Sequence, residues 1–134
     1  MYEELRADGS RRMVNGLRDI SNQDRLRKRN AVDQDATNKG IDLQFIDNVR
    51  SILDEAGDLL LRKQIDYGPT NISRAPGGPL NGLRVRMHDK IARINNLLDK
   101  NIGPQNESLR DSFIDLLNYS AIAIMVLENK WPSE

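Results

Sequence analysis

Three glycine–proline pairs, Gly68-Pro69, Gly78-Pro79 and Gly103-Pro104, cut the chain from Ile41 onward into segments with one shared pattern. In each segment apolar residues recur every three or four positions, which is the period of an α-helix and not of a strand. Phe45, Val49, Leu53, Ala56 and Leu60 form the first row, widened by Ile46, Ile52 and Leu59. Gly68 can take the left-handed conformation that ends a helix, and Pro69 forbids continuation. The stretch from Pro69 to Gly78 reads as a loop rich in Pro, Gly, Ser and Asn. Gly78-Pro79 reopens a helix, proline being suited to a first helical position. Leu80, Leu83, Met87, Ile91, Ile94 and Leu98 form its apolar face. Asn101 to Asn106 close it, with Asn106 expected to cap the next helix. In that helix Phe113 to Leu127 is apolar on nearly every side, which places it at the centre of a bundle.

The pattern predicts an all-α protein: three main helices of about twenty residues each, plus an N-terminal helix or arm. Aromatic residues are 4% of the 134, which suits aliphatic helix packing better than a β-sandwich or barrel core. No strand alternation is visible. Residues 1–40 stand apart as a charged N-terminal arm, holding sixteen charged residues and little apolar material, and residues 41–134 form the domain. Within the arm Met13, Leu17 and Ile20 fit one helix face. The basic run Arg25-Leu26-Arg27-Lys28-Arg29 is surrounded by acids and reads as a solvated helix or flexible arm. So much apolar surface around one very apolar helix also predicts a core completed by a homo-oligomer.

Twenty basic and twenty acidic residues give a formal net charge of zero, so nucleic acid is not an expected partner. There is no cysteine, which removes disulfides, thiolate metal sites and cysteine nucleophiles and suits a reducing cytoplasm. No signal-like stretch opens the sequence and no segment approaches a membrane span, so a cytoplasmic location and no membrane partner are expected. His88 is the single histidine, too little for a Ser-His-Asp triad or a histidine zinc site. Gly77-Gly78 is no phosphate-binding Walker loop, although backbone N–H groups at that helix start could face a phosphate. Trp131 is expected to anchor packing or a subunit contact.

The informative residues are polar ones in the most apolar helix. Glu107, Asp111, Asp115 and Asn118 fall within roughly an 80° arc of an α-helix. Carboxylates on a buried face need basic partners or a divalent cation to offset their desolvation. The preceding helix supplies the first: Arg86, Lys90 and Arg93 share one of its faces, with Asp89 and Asn96 beside them. Two readings stay open. The stripes neutralise each other as a salt-bridge ladder, or they line a cleft where bases take phosphates while acids hold Mg²⁺, a ribose or a base edge. Lys63, Asp66 and Tyr67 end the first helix at the mouth of that cleft, Tyr67 being able to stack on a base.

Lys63-x-x-Asp66-Tyr67-Gly68, Asn71 in the loop, Leu83-Arg84, Asp89-Lys90-x-x-Arg93 and Glu107-Ser108-x-x-Asp111-x-x-x-Asp115-x-x-Asn118-Tyr119 resemble the nucleotide modification associated domain family, over about residues 50 to 128. The resemblance implies a phage or prophage setting and a small nucleotide ligand, in nucleotide modification or in sequestering a host signalling nucleotide as an anti-defence role. Its motifs carry over, as ligand-binding candidates, Lys63, Asp66, Tyr67, Asn71, Arg84, Lys90, Arg93, Asn118 and Tyr119, to which the basic face of the preceding helix adds Arg86. The layout is also similar to all-α nucleoside triphosphate pyrophosphohydrolases of the MazG and dimeric dUTPase type, which bind Mg²⁺ through acidic motifs on two helices. Asp54-Glu55-x-x-Asp58 followed by Glu107-x-x-x-Asp111 echoes them, with the second spacing one residue too long. That similarity implies Mg²⁺ on Glu107, Asp111 and Asp115, and hydrolysis as the alternative to simple binding. A structural or protein-binding bundle is the third possibility, and sequence alone leaves the protein's status as an enzyme undecided.

Overall fold

In the computed structural model the backbone is described for residues 2–5, 11–14 and 16–133, and side chains for 21–133. Two compact units divide the chain, residues 1–49 and residues 50–134. The described elements are five helices and one short hairpin, so the fold is all-α as the periodicity requires.

In the first unit β1 (Tyr2–Leu5) pairs antiparallel with β2 (Arg11–Val14), with Tyr2 opposite Val14 and Leu5 opposite Arg11. Strands of four residues are too short to print a legible alternation, and this hairpin corrects the expectation of no strand. Met13 lies in β2, so it does not share a helix with Leu17 and Ile20, whose side chains lie outside the described residues. Helix α1 (Gly16–Asn38) carries the basic run on a solvated surface, with Lys28–Asp24 and Lys39–Asp35 pairs one turn apart at 3.1 and 3.0 Å. Such exposed pairs add little stability each. Gly40, at φ +90°, ends α1: its N–H bonds to Thr37 O and the Ile41 N–H to Ala36 O. That pair of bonds satisfies the last carbonyls of the helix, and glycine meets the φ at least cost.

Asp42 caps α2 (Leu43–Tyr67), its Oδ1 accepting from Gln44 N–H at 3.0 Å. Within the second unit, α2 ends at Gly68 as expected, φ +62°. The expected loop after Pro69 begins with a single helical turn, α3 (Thr70–Ser73), which carries the buried Ile72. Helix α4 (Pro79–Asp99) starts with its proline in the first turn. It ends on Asn101, at φ 50°, with the Ile102 N–H closing back on Leu97 O. Ser108, not Asn106, caps α5 (Leu109–Leu127). Ser108 Oγ accepts from Asp111 N–H at 3.1 Å, and Asp111 Oδ2 accepts from Ser108 N–H at 3.2 Å. This reciprocal box satisfies two donors that a bare helix end would leave unpaired.

Ile72, Leu83 and Ile122 centre the core, with Leu60, Tyr119, Met125, Val126 and Trp131 packed around them. Trp131 is the expected anchor, its indole N–H donating to Pro69 O at 3.1 Å. Gly82 lets the 74–78 segment lie against α4, because a Cβ there would meet the Ala75 methyl at 2.5 Å. Helix α5 runs through this core, but two of its faces are unlike what its composition implies. Three of its five buried residues are polar, Ser112, Asp115 and Asn118, while Phe113, Ile124 and Leu127 are exposed. Among the described residues no helix is long and apolar enough to cross a membrane.

Leu83 is 1% exposed at the centre of the cluster. Leu83→Ala should cost about 2–5 kcal/mol through lost burial and a residual cavity. A urea titration followed by far-UV circular dichroism should show the midpoint falling at nearly unchanged slope.

Candidate functional site

Where α2, α3, α4 and α5 converge, the second unit encloses a cavity of about 280 Å³. Helix α2 contributes Leu60, Lys63, Gln64 and Tyr67 from its last two turns. Asn71 and Ile72 come from α3 and Arg86 from α4. Asp115, Asn118, Tyr119 and Ile122 enter along one face of α5, and Trp131 closes the C-terminal side. The walls are therefore partly aliphatic and aromatic, with a few polar groups directed inward.

The acidic and basic stripes meet differently at their two ends. Towards the N-terminus of α5 they are closed on each other. Lys90 Nζ reaches Glu107 Oε2 at 2.8 Å and Asp115 Oδ2 at 2.8 Å. Arg93 binds Ser112 Oγ at 2.6 Å and the carbonyls of Ser108 and Glu107, so its guanidinium fastens α4 to the first turn of α5. One and two turns further along, the ladder opens into the cavity. Lys63 Nζ holds the other oxygen of Asp115, Oδ1, at 3.0 Å. Arg86 donates to the backbone carbonyl of Asn71 at 3.2 Å and, among the described residues, pairs with no carboxylate. Asn71 Oδ1 and Asn118 Nδ2 are buried without a hydrogen-bond partner. Asn118 is only 7% exposed. Each such atom costs about 1–3 kcal/mol if it stays unpaired, and both line the same space.

Asp115, 8% exposed, shows how the clasp governs ionisation. Burial alone would raise its pKa, but hydrogen bonds from Lys90 and Lys63 outweigh that and hold it below the ordinary carboxylate value. Lys90 is likewise opposed by desolvation, yet Asp115 and Glu107 keep its pKa above the usual lysine value. Both groups are charged throughout the neutral range.

The cavity thus brings together seven candidate residues: Lys63, Tyr67, Asn71, Arg86, Asp115, Asn118 and Tyr119. The others lie elsewhere. Asp66 is exposed at the end of α2, outside the lining. Arg84 is two residues from Arg86, about 200° around α4, and binds Asn81 Oδ1 at 2.6 Å. It borders a shallow apolar groove between α4 and α5, with Leu80, Met87, His88 and Ile91. Lys90 and Arg93 are spent on the ladder. The Gly77-Gly78 backbone does not line the cavity.

The three acids expected to hold Mg²⁺ do not form a metal site. Asp111 is the return half of the α5 capping box, while Glu107 and Asp115 share the Lys90 ammonium. Among the described residues no three acids or histidines converge to hold a metal ion. Of the second acidic group, Glu55 is fork-bonded by Arg110 at 2.7 and 2.6 Å. The donor set present does not fit a divalent cation.

Gln64, Leu60, Ile72, Ile122 and Trp131 line the cavity without having been marked as candidates. Gln64 and Ile122 carried a usable signal: the first follows Lys63, and the second lies one turn beyond Asn118 on the same face.

The residues from Lys63 to Tyr119 that build this site all fall inside one family match. Residues 63–127 match the model of the family described as nucleotide modification associated domain 1. No curated protein and no solved structure matches the chain. The family segment begins at Lys63, so it takes in the last turn of α2 along with α3, α4 and α5, and leaves Leu60 and Trp131 as flanking contributions to the cavity.

The depressed pKa of Asp115 carries a stability consequence with a definite sign. Its contribution is complete above the unfolded-state carboxylate pKa and is lost as pH falls through the lower, folded-state value. The urea midpoint should therefore fall on acidification below about pH 4. Asp115→Asn should be less stable than the parent at neutral pH, because Lys63 and Lys90 lose a counter-charge, and should show a shallower acid loss. Equal acid slopes for the two proteins would remove this assignment.

Proposed function

We propose that this domain binds a small nucleotide in the cavity between α2, α4 and α5, and holds it without turning it over. One observation carries the reading. A guanidinium without a carboxylate partner and two unpaired buried amide atoms, Asn71 Oδ1 and Asn118 Nδ2, border a single cavity beside Tyr67, Tyr119 and Trp131. Arginine is suited to phosphate because its planar fork presents parallel N–H donors. An amide acceptor and an amide donor match the mixed hydrogen-bonding edge of a base, and rings beside them suit its flat face. The similarity of residues 63–127 to the nucleotide modification associated domain 1 family supports a ligand of this class. Hydrolysis by the pyrophosphohydrolase route lacks its acids here, since Asp111 is committed to a cap and Glu107 and Asp115 to Lys90. A phage setting, where such a protein would serve base modification or sequester a nucleotide signal, is part of the same proposal and rests on the family resemblance.

The proposal includes a homo-oligomer. Phe113, Ile124 and Leu127 leave apolar side chains of α5 uncovered within one chain, and a second copy is the partner expected to cover them. Light scattering of the purified protein should give a multiple of 15.2 kDa; a monomer mass would remove this part.

The binding reading is tested by pairing affinity with stability. Arg86→Ala should weaken nucleotide binding about 10- to 100-fold in calorimetry, the range of a lost charged hydrogen bond, with helical content retained. Asn118→Leu replaces an unpaired buried amide by a group of similar size, so the free protein should melt at or above the parent temperature. Nucleotide should then no longer raise that temperature. Chromatography of ligand recovered from the parent protein should return it intact; release of pyrophosphate would overturn the non-hydrolytic reading.

A further inference from the structure

Charge and volume narrow the ligand of this same cavity. Its lining holds two fixed cations, Lys63 and Arg86, and one anion, Asp115. The groups behind it cancel, because Lys90 faces Glu107 as well as Asp115. The space is left with one surplus positive charge, located on Arg86. A single phosphate monoester carries about −1.5 to −2 at neutral pH, so one phosphate already uses up the surplus and leaves less than about one negative charge over. A triphosphate would bring its extra negative charge against Asp115, and among the described residues no group of acids is placed to recruit a cation that could neutralise it. The volume points the same way. About 280 Å³ lies just under the usual range of pockets for drug-sized ligands, roughly 300–1,000 Å³.

We infer that the cavity is selective for a nucleoside monophosphate over the corresponding di- and triphosphate, with Arg86 and Lys63 taking the phosphate and the Asn71 and Asn118 amides taking the base edge. The inference rests on the nucleotide-binding reading above and specifies its ligand. In this arrangement Asp115 is a positioning residue and a filter. It fixes the Lys63 ammonium at 3.0 Å, and its negative charge penalises any phosphate beyond the first.

The experiment is calorimetry of the full chain with the four deoxynucleoside and four ribonucleoside 5′-monophosphates and their triphosphates, each with and without Mg²⁺. 3′,5′-Cyclic mononucleotides, nucleosides and inorganic phosphate serve as further arms. At least one monophosphate should bind about tenfold or more tighter than its own triphosphate, and Mg²⁺ should not reverse the order. The nucleoside and inorganic phosphate should each bind more weakly than the monophosphate that contains both. A cyclic mononucleotide that binds as tightly still satisfies selectivity for one phosphate and identifies a monoanionic diester as the form held. Asp115→Asn raises the surplus charge, so it should narrow the gap between mono- and triphosphate; loss of structure alone would weaken both in parallel. A triphosphate bound as tightly as the monophosphate by the parent protein overturns this inference and leaves the nucleotide-binding reading standing. No binding by any arm overturns both.

Discussion

One carboxylate joins three helices. Asp115 enters from α5, accepts Lys90 from α4 on one oxygen and accepts Lys63 from α2 on the other. The side chain is almost wholly buried, so an isolated charge there would be heavily penalised, and each lysine is held by that need as much as it satisfies it. Removing either partner would leave the remaining charges poorly compensated. The pairing therefore fixes where the end of α2 sits against α4 and α5, and hence where Lys63, Gln64 and Tyr67 stand in relation to Arg86 and Asn118. Arg93 does comparable work one turn away by binding the capping turn of α5. With the ladder locked at that end, Arg86 is left facing the cavity with only the Asn71 carbonyl as partner.

This arrangement inverts the usual economy of an apolar helix. Composition places α5 at the centre of a bundle, and it does hold the core residues Ile114 and Ile122. Its inward face also carries Ser112, Asp115 and Asn118, while Phe113, Ile124 and Leu127 face outward. Burying polar groups is expensive unless they are paired, and the chain pairs all but the amide at the cavity. Of the three polar residues on the inward face, Ser112 takes the Arg93 guanidinium, while Asp115 and Asn118 line the cavity.

Much of the fold was legible because helix ends are written in local chemistry. Gly68-Pro69 and Pro79 mark α2 and α4 without reference to the rest of the chain. The start of α5 is less legible, since Asn106 and Ser108 are both residues that cap helices and only the reciprocal bonds between Ser108 and Asp111 decide for Ser108. The β1–β2 hairpin was missed because strands of four residues carry too few positions for a period. The site was half legible for a related reason. Spacing on a helix tells which side chains share a face, so Asp115 groups with Asn118 on one helix and Arg86 with Lys90 and Arg93 on the one before it. It does not tell which bases the acids will consume. Lys90 and Arg93 have the same spacing logic as Arg86, and only the relative height of α4 and α5 decides that two are spent on the ladder and one is not. Arg84 illustrates the converse: lying two residues from Arg86 places it on the opposite side of α4, bordering an unrelated groove.

The cavity also explains why the core can stay small. Seven apolar residues are buried among those described, and two buried amide atoms are left unpaired beside the cavity. A single-chain fold gains little margin from such a core, since stability is a small difference between large terms. A ligand that pairs both amides and the Arg86 guanidinium would remove those penalties only in the folded state. Its binding free energy then adds directly to folding stability, in proportion to the logarithm of its concentration over its dissociation constant. The polar groups that weaken the free protein are in this view the same groups that let occupancy strengthen it. A sequence that filled the space with leucine would fold more firmly and lose that dependence on occupancy.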